Sequence, residues 1–98
     1  MPKAYWVVTY RWIKNPAAWE AYAKIAVPAI KDAGGRFLAL GMPKKIWEAG
    51  QEQRVVLVEF DNLDAAIACH DTPQYKEALR LLGKGNVERD MRVVEGAA

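Results

Sequence analysis

Arg54-Val55-Val56-Leu57-Val58-Glu59-Phe60 is the stretch that decides the fold. Its β-branched and aromatic residues read as a strand, and successive side chains of a strand point to opposite faces. One face then carries Val56, Val58 and Phe60, the other Val55, Leu57 and Glu59. Both faces are largely apolar, so both need a cover. Ala4 to Trp12 repeats the pattern, with Tyr5, Val7, Thr9 and Arg11 on one side and Trp6, Val8, Tyr10 and Trp12 on the other.

Working outward, Asn15-Pro16 opens a helix, since Asn caps free amides and Pro loses nothing at the first helical position. Trp19, Tyr22, Ala23, Ala26, Ala29, Ile30 and Ala33 recur at helical spacing. Pro28 inside that span predicts a kink, and Gly34-Gly35 a stop. Arg36 to Gly41 reads as a second strand, with Phe37 and Ala39 on one side and Arg36, Leu38 and Leu40 on the other. Met42-Pro43 interrupts it, and Lys44 to Glu48 is expected to continue the extended chain. Ala49 to Gln53 is polar and is the segment expected to move. Downstream, Asp61 or Asn62 caps a short helix to about His70. Asp71-Thr72-Pro73 restarts a helix that ends near Gly83, and Val87 to Glu95 forms the last strand.

The order βαββαβ over residues 1–98 predicts one α+β domain of ferredoxin-like type. Such a domain has a four-stranded antiparallel sheet with two helices on one face. Helices leave the face of Val55, Leu57, Tyr5 and Val7 bare, and a large bare apolar sheet marks an interface. A second copy of the same sheet is the simplest cover, so a homodimer is expected.

Composition removes several functions. The 98 residues hold 14 Lys and Arg against 12 Asp and Glu, a net charge of +2, which gives little support to nucleic acid as a partner. No Ser is present, which excludes a serine nucleophile, and Gly83-Lys84-Gly85-Asn86 lacks the hydroxyl of a phosphate-binding loop. One Cys and one His exclude a metal site of the usual Cys/His kind within the chain, and no cofactor is expected. No leader or membrane-spanning run is read, so the expected location is cytoplasmic.

Several blocks carry a family resemblance: Ala4-Tyr5-Trp6-Val7-Val8, Asn15-Pro16, Gly34-Gly35-Arg36-Phe37-Leu38-Ala39, Arg54 to Phe60, Thr72-Pro73-Gln74-Tyr75 and Val93-Val94-Glu95-Gly96. In this order they resemble the family catalogued as domain of unknown function 1330, within the dimeric α+β barrel superfamily. The resemblance implies protomers whose sheets pair across a dimer to enclose a cavity, and it implies no reaction. The wider superfamily includes cofactor-free monooxygenases, haem-degrading enzymes, muconolactone isomerases and stress-induced dimeric proteins. The sequence departs from the family where Leu40 replaces a frequent Arg, Cys69 a frequent Trp, His70 a frequent Tyr and Thr9 a frequent acid. If those positions handle a ligand, this chain handles a different one or none.

Glu59 is the most informative carboxylate. Alternating with Val55 and Leu57, it points into the face the dimer would close, and a buried carboxylate needs a partner. Arg36 is the first choice and Arg11 the second. His70, the sole imidazole, is the general acid/base candidate, although Leu63, Ile67 and His70 also follow one helix face. Asp71 beside it is expected to cap the next helix. Cys69 and His70 diverge by about 100° on a helix and do not form a dyad. Tyr5, Tyr75 and Tyr22 are candidates for a cavity rim.

Two readings follow. In the first, Tyr5, Arg36, Glu59, His70 and Tyr75 line a ligand site in a binding, structural or sensing homodimer. In the second, Glu59 and His70 are the catalytic groups of a cofactor-independent enzyme, monooxygenase- or isomerase-like, acting on a small oxygenated or aromatic metabolite. Convergence of Glu59, His70, Tyr5 and an Arg on one pocket discriminates between them.

Overall fold

The structure, a computed structural model, describes residues 2–97. Strand β1 spans Ala4–Ile13, helix α1 Pro16–Asp32, β2 Arg36–Gly41 and β3 Val55–Phe60. Helices α2 (Leu63–His70) and α3 (Pro73–Leu82) follow, and β4 (Val87–Glu95) closes the chain. The sheet runs β2-β3-β1-β4 with every neighbouring pair antiparallel. This is the expected ferredoxin-like α+β fold, with the second helical segment split into α2 and α3.

Local chemistry sets the helix ends. Asn15 Oδ1 accepts from the Ala18 amide at 3.2 Å, and Asn62, not Asp61, does the same for Ala65 at 2.8 Å. Thr72 rather than Asp71 caps α3, accepting from the Tyr75 amide at 3.2 Å, while Asp71 ends α2. Pro28 does not interrupt α1, which continues to Asp32. The carbonyl it deprives of a donor belongs to Lys24, and both residues face solvent, so water can supply the missing bond. Gly34, at φ 91°, takes the left-handed turn that ends the helix. Lys44 to Glu48 forms no strand, a correction to the extended reading; a turn closes there instead, with the Gly50 amide donating to Trp47 O at 3.1 Å.

The core lies on one side of the sheet. Trp6, Val8, Tyr10, Val58 and Phe60 are buried against Tyr22, Ala26, Ala29 and Ile30 of α1, Ala66 and Cys69 of α2, and Tyr75, Ala78 and Leu82 of α3. Trp6 donates its indole N–H to Ala66 O at 2.8 Å, which fixes α2 beneath β1. On the opposite side Tyr5, Val7, Val55, Leu57 and Glu59 stay only partly covered, and Arg92 and Val94 are exposed.

Two irregularities revise the expected faces. The β2–β3 register shifts between Phe37 and Ala39, so Phe37 and Leu40 oppose Val58 and Val56 on the helix side. Arg36, Ala39 and Gly41 oppose Glu59, Leu57 and Val55 on the open side. The β1–β4 register shifts between Tyr10 and Trp12, which places Trp12 opposite Glu88, out of phase with Tyr10. An extra residue in one strand reverses the side-chain alternation beyond it.

Candidate functional site

The sequence-predicted residues fall into two groups separated by the sheet. Tyr5, Arg36 and Glu59 meet on the open side. Strand register sets Tyr5 and Arg36 on either side of Glu59. Arg36 Nε donates to Glu59 Oε1 at 3.0 Å, and Tyr5 Oη donates to Glu59 Oε2 at 3.2 Å. Arg36 also pairs with Asp61 at 3.1 Å, which in turn accepts from Lys3 at 3.3 Å. The Arg36 hydrogen bond, then that from Tyr5, holds the Glu59 carboxyl below its ordinary value despite partial burial. Desolvation and the Glu59 carboxylate push the Tyr5 phenol up. Arg11 takes no part. It pairs with Asp90 through two hydrogen bonds of 2.8 and 2.7 Å, because β4 and not β3 lies beside that end of β1.

His70 lies on the other side of the sheet, exposed, its ring 5.1 Å from Tyr75 and 6.1 Å from Trp6. With Ile67, Asp71, Met91 and Val93 it borders a shallow groove of about 310 Å³. The sheet separates it from Glu59, so the two do not converge as an acid–base pair. Cys69 is buried in the core, where desolvation pushes its thiol up to about 11, leaving no thiolate at neutral pH.

A third constellation emerges on the helix side, and sequence reasoning named only part of it. Arg89 of β4 opposes Tyr10 of β1 and reaches inward between α1 and α3. Its Nη1 donates to Tyr10 Oη at 3.1 Å and to Tyr22 Oη at 3.0 Å, and its Nη2 to Tyr75 Oη at 3.3 Å. Tyr22 and Tyr75 share a hydrogen bond of 2.7 Å that joins α1 to α3, and Trp19 Nε1 donates to Tyr10 Oη at 3.0 Å. Burial pushes the Tyr22 and Tyr75 phenols above their ordinary value, so both are neutral and give the guanidinium no countercharge. Arg54 stacks over Trp19 at 4.6 Å, and its buried Nε has no hydrogen-bond partner among the described residues.

Beside Arg89 a narrow apolar cavity of about 40 Å³ opens between α1 and the sheet. Val8, Val56, Val58 and Met91 form its floor, Ala23, Ala26, Val27 and Ile30 its roof, and Phe37 and the exposed Leu40 its outer edge. Arg89 and Tyr10 were legible in principle. Val87, Arg89, Met91 and Val93 share one strand phase, and an arginine in an apolar phase carries the same signal as Glu59 in β3.

A larger hollow of about 360 Å³ sits on the open side, between the 42–54 loop and Thr9, Arg11, Val55 and Asp90. Ile46 and the exposed Trp47 stand on its rim. Among the described residues, no group of three or more His, Cys, Asp or Glu side chains is placed to hold a metal ion, and no helix is long and apolar enough to cross a membrane.

Fold and geometry define a ferredoxin-like α+β protein with an arginine–tyrosine cluster under its helices. The chain belongs to the family described as domain of unknown function (DUF1330), whose model matches residues 3–97. Among solved structures it is similar to a protein of unknown function from Rhodopseudomonas palustris, at 15% identity and TM-score 0.76, covering 99% of this chain and 84% of that one. It is similar to SnoaB, a cofactor-independent oxygenase from Streptomyces nogalater, at 12% identity and TM-score 0.66, covering 100% and 96%. A dimeric protein of unknown function and ferredoxin-like fold from Bacteroides fragilis matches at 14% identity and TM-score 0.59, covering 96% of each chain. At these identities the likeness establishes the fold alone. No curated protein matches the sequence.

Proposed function

We propose that the chain is a homodimer closed through its open sheet face, and that each protomer binds a small molecule in the cavity between α1 and the sheet. The observation that carries the binding reading is Arg89, held among three tyrosine hydroxyls at the end of an apolar cavity, with no Asp or Glu bonded to it among the described residues. Structural arginines inside proteins are paired with acids, because burial without a partner is costly. Here Arg89 lines the cavity, where a ligand could supply the partner. Tyr10 and Tyr22 line the cavity beside Arg89, while Tyr75, expected to contact the ligand, stands behind them and bonds Tyr22 and Arg89.

The dimer reading is supported by the half-covered Val7, Val55 and Leu57 and by the dimeric relative from Bacteroides fragilis. In a dimer, the Tyr5–Glu59–Arg36 cluster and the hollow under the 42–54 loop would lie toward the partner. Sheet pairing of this kind would enclose the second cavity that barrel-like dimers have. The enzymatic alternative, a cofactor-independent activity on a small oxygenated metabolite, draws on the fold shared with SnoaB. It loses its acid–base pair, since Glu59 and His70 lie on opposite sides of the sheet. A cytoplasmic binding or sensing protein is therefore the preferred reading, and the single thiol is compatible with a reducing compartment.

Native mass spectrometry of freshly purified protein tests both halves. The expected spectrum is a dimer carrying up to one small molecule per protomer. A monomer at micromolar concentration would overturn the dimer, and a dimer that neither carries nor takes up any small molecule would overturn the binding reading.

A further inference from the structure

The surplus of hydrogen-bond donors around Arg89 identifies the class of ligand, an inference that rests on the binding reading above. Tyr10 Oη accepts from both Arg89 Nη1 and Trp19 Nε1, at 3.1 and 3.0 Å, which occupies its two lone pairs. Its own proton meets no acceptor among the described residues. Of Tyr22 and Tyr75, 2.7 Å apart, one donates to the other and the second keeps its proton. Whichever way that bond runs, a hydroxyl proton is left over there as well. The guanidinium adds a full positive charge, and among the described residues no Asp or Glu bonds to it.

The cluster thus offers protons and positive charge in one place and lacks an acceptor. Charge-assisted bonds from a guanidinium to an oxyanion are the strong ones, and the planar fork fits two oxygens at once. A second guanidinium, that of Arg54, stacks on the same Trp19 that donates to Tyr10. Next to this polar end the cavity wall is hydrocarbon: Val8, Val56, Met91, Ala23 and Val27. About 40 Å³ accommodates a group of a few atoms. The remainder of the ligand would lie outward, along Phe37 and Leu40.

We infer that the cavity takes a small oxyanion, a carboxylate or enolate on a compact apolar body, with the charged oxygens on Arg89 and the hydroxyls of Tyr10 and Tyr22. Benzoate and its neutral near-isostere benzamide are the probes, titrated into full-length protein by calorimetry and followed through the Trp19 indole resonance. Benzoate is expected to bind at least about tenfold more tightly than benzamide and to shift that resonance. Arg89→Lys keeps the charge but loses the fork, and Tyr22→Phe keeps the guanidinium but loses one donor. Each is expected to weaken benzoate by about tenfold or more and leave benzamide unchanged, with thermal melts confirming that both variants fold.

Equal binding of the two probes, or benzoate binding indifferent to both substitutions, overturns the oxyanion assignment. A neutral molecule found in the purified protein and displaced from this cavity would overturn it too, while leaving the small-molecule reading intact. Failure of both probes to bind, with no co-purified ligand, overturns the two together.

Discussion

At the scale of single residues, Glu59 and Arg89 are opposite solutions to one problem, a charge placed in an apolar strand phase. Glu59 is satisfied within the fold by Arg36 at 3.0 Å and Tyr5 at 3.2 Å. Its folded pKa is depressed, chiefly by the Arg36 bond. That contribution to stability is therefore complete above the ordinary Glu value of about 4.3 and is lost as pH falls through the lowered folded value. Carboxyl resonances followed by NMR should show Glu59 titrating below its ordinary value, and moving up toward it in Arg36→Gln; an unmoved Glu59 would refute the coupling. Glu59→Gln should lower the melting temperature at neutral pH, and Glu59→Leu combined with Arg36→Met should recover part of the loss. An unchanged or higher melt for Glu59→Gln would instead argue that the cluster serves a ligand. Arg89 predicts the reverse. Its guanidinium has no countercharge among the described residues, and the Tyr22 and Tyr75 hydroxyls bond to each other without it. Arg89→Met should therefore leave the melting temperature of ligand-free protein unchanged or raise it, as removal of functional polar groups often does. A marked drop would make Arg89 a structural residue.

Among the elements, α1 does most to shape the site, since it forms the cavity roof and brings Tyr22 to Tyr75. Its start depends on Asn15, whose side chain accepts from the Ala18 amide at 3.2 Å. Asn15→Ala should cost about 1 kcal/mol in urea denaturation, the usual loss for a removed cap. Its end depends on the tight passage into β2. A Cβ added at Gly35 would lie 3.0 Å from both Ile30 O and Val58 Cγ1, and nearer still to Ile30 Cγ2. Gly35→Ala should therefore destabilise by about 1–3 kcal/mol, the range for overpacking. A loss within experimental error would mean that α1 can move off the sheet, which would also widen the cavity. The bulge in β2 matters for the same cavity. Without its extra residue, Leu40 would stay in the phase of Arg36 and face away from the helices.

For the whole molecule, the two faces of the sheet divide the tasks. The helix side holds the core and the Arg89 cavity, and the open side presents Val7, Val55, Leu57 and the ion cluster. A face of this kind suits a two-fold interface, and a standard interface hides about 800 Å² on each partner. Leu57→Glu puts a charge at the centre of that face without touching the helix side. It should yield monomer or aggregate in sedimentation velocity. A well-behaved dimer in this variant would place the interface elsewhere.

Periodicity and local residue type determined the element order, the helix caps at Asn15 and the 61–62 step, the bare sheet face, and Glu59 as a carboxylate that needs an arginine partner. These depend on alternation along a strand or spacing along a helix, which one chain segment displays by itself. The bulges at Leu38 and between Tyr10 and Trp12 were hidden, because an extra residue shows only when the partner strand sets the register. The choice of Arg36 over Arg11 depended on strand neighbours for the same reason. The Arg89 cluster was hidden more deeply. Its members come from β1, α1, α3 and β4; the strand phase of Arg89 marks that residue, but nothing in the sequence joins it to the tyrosines. Only packing of the helices against the sheet brings three hydroxyls to one guanidinium, with no Asp or Glu bonded to it among the described residues.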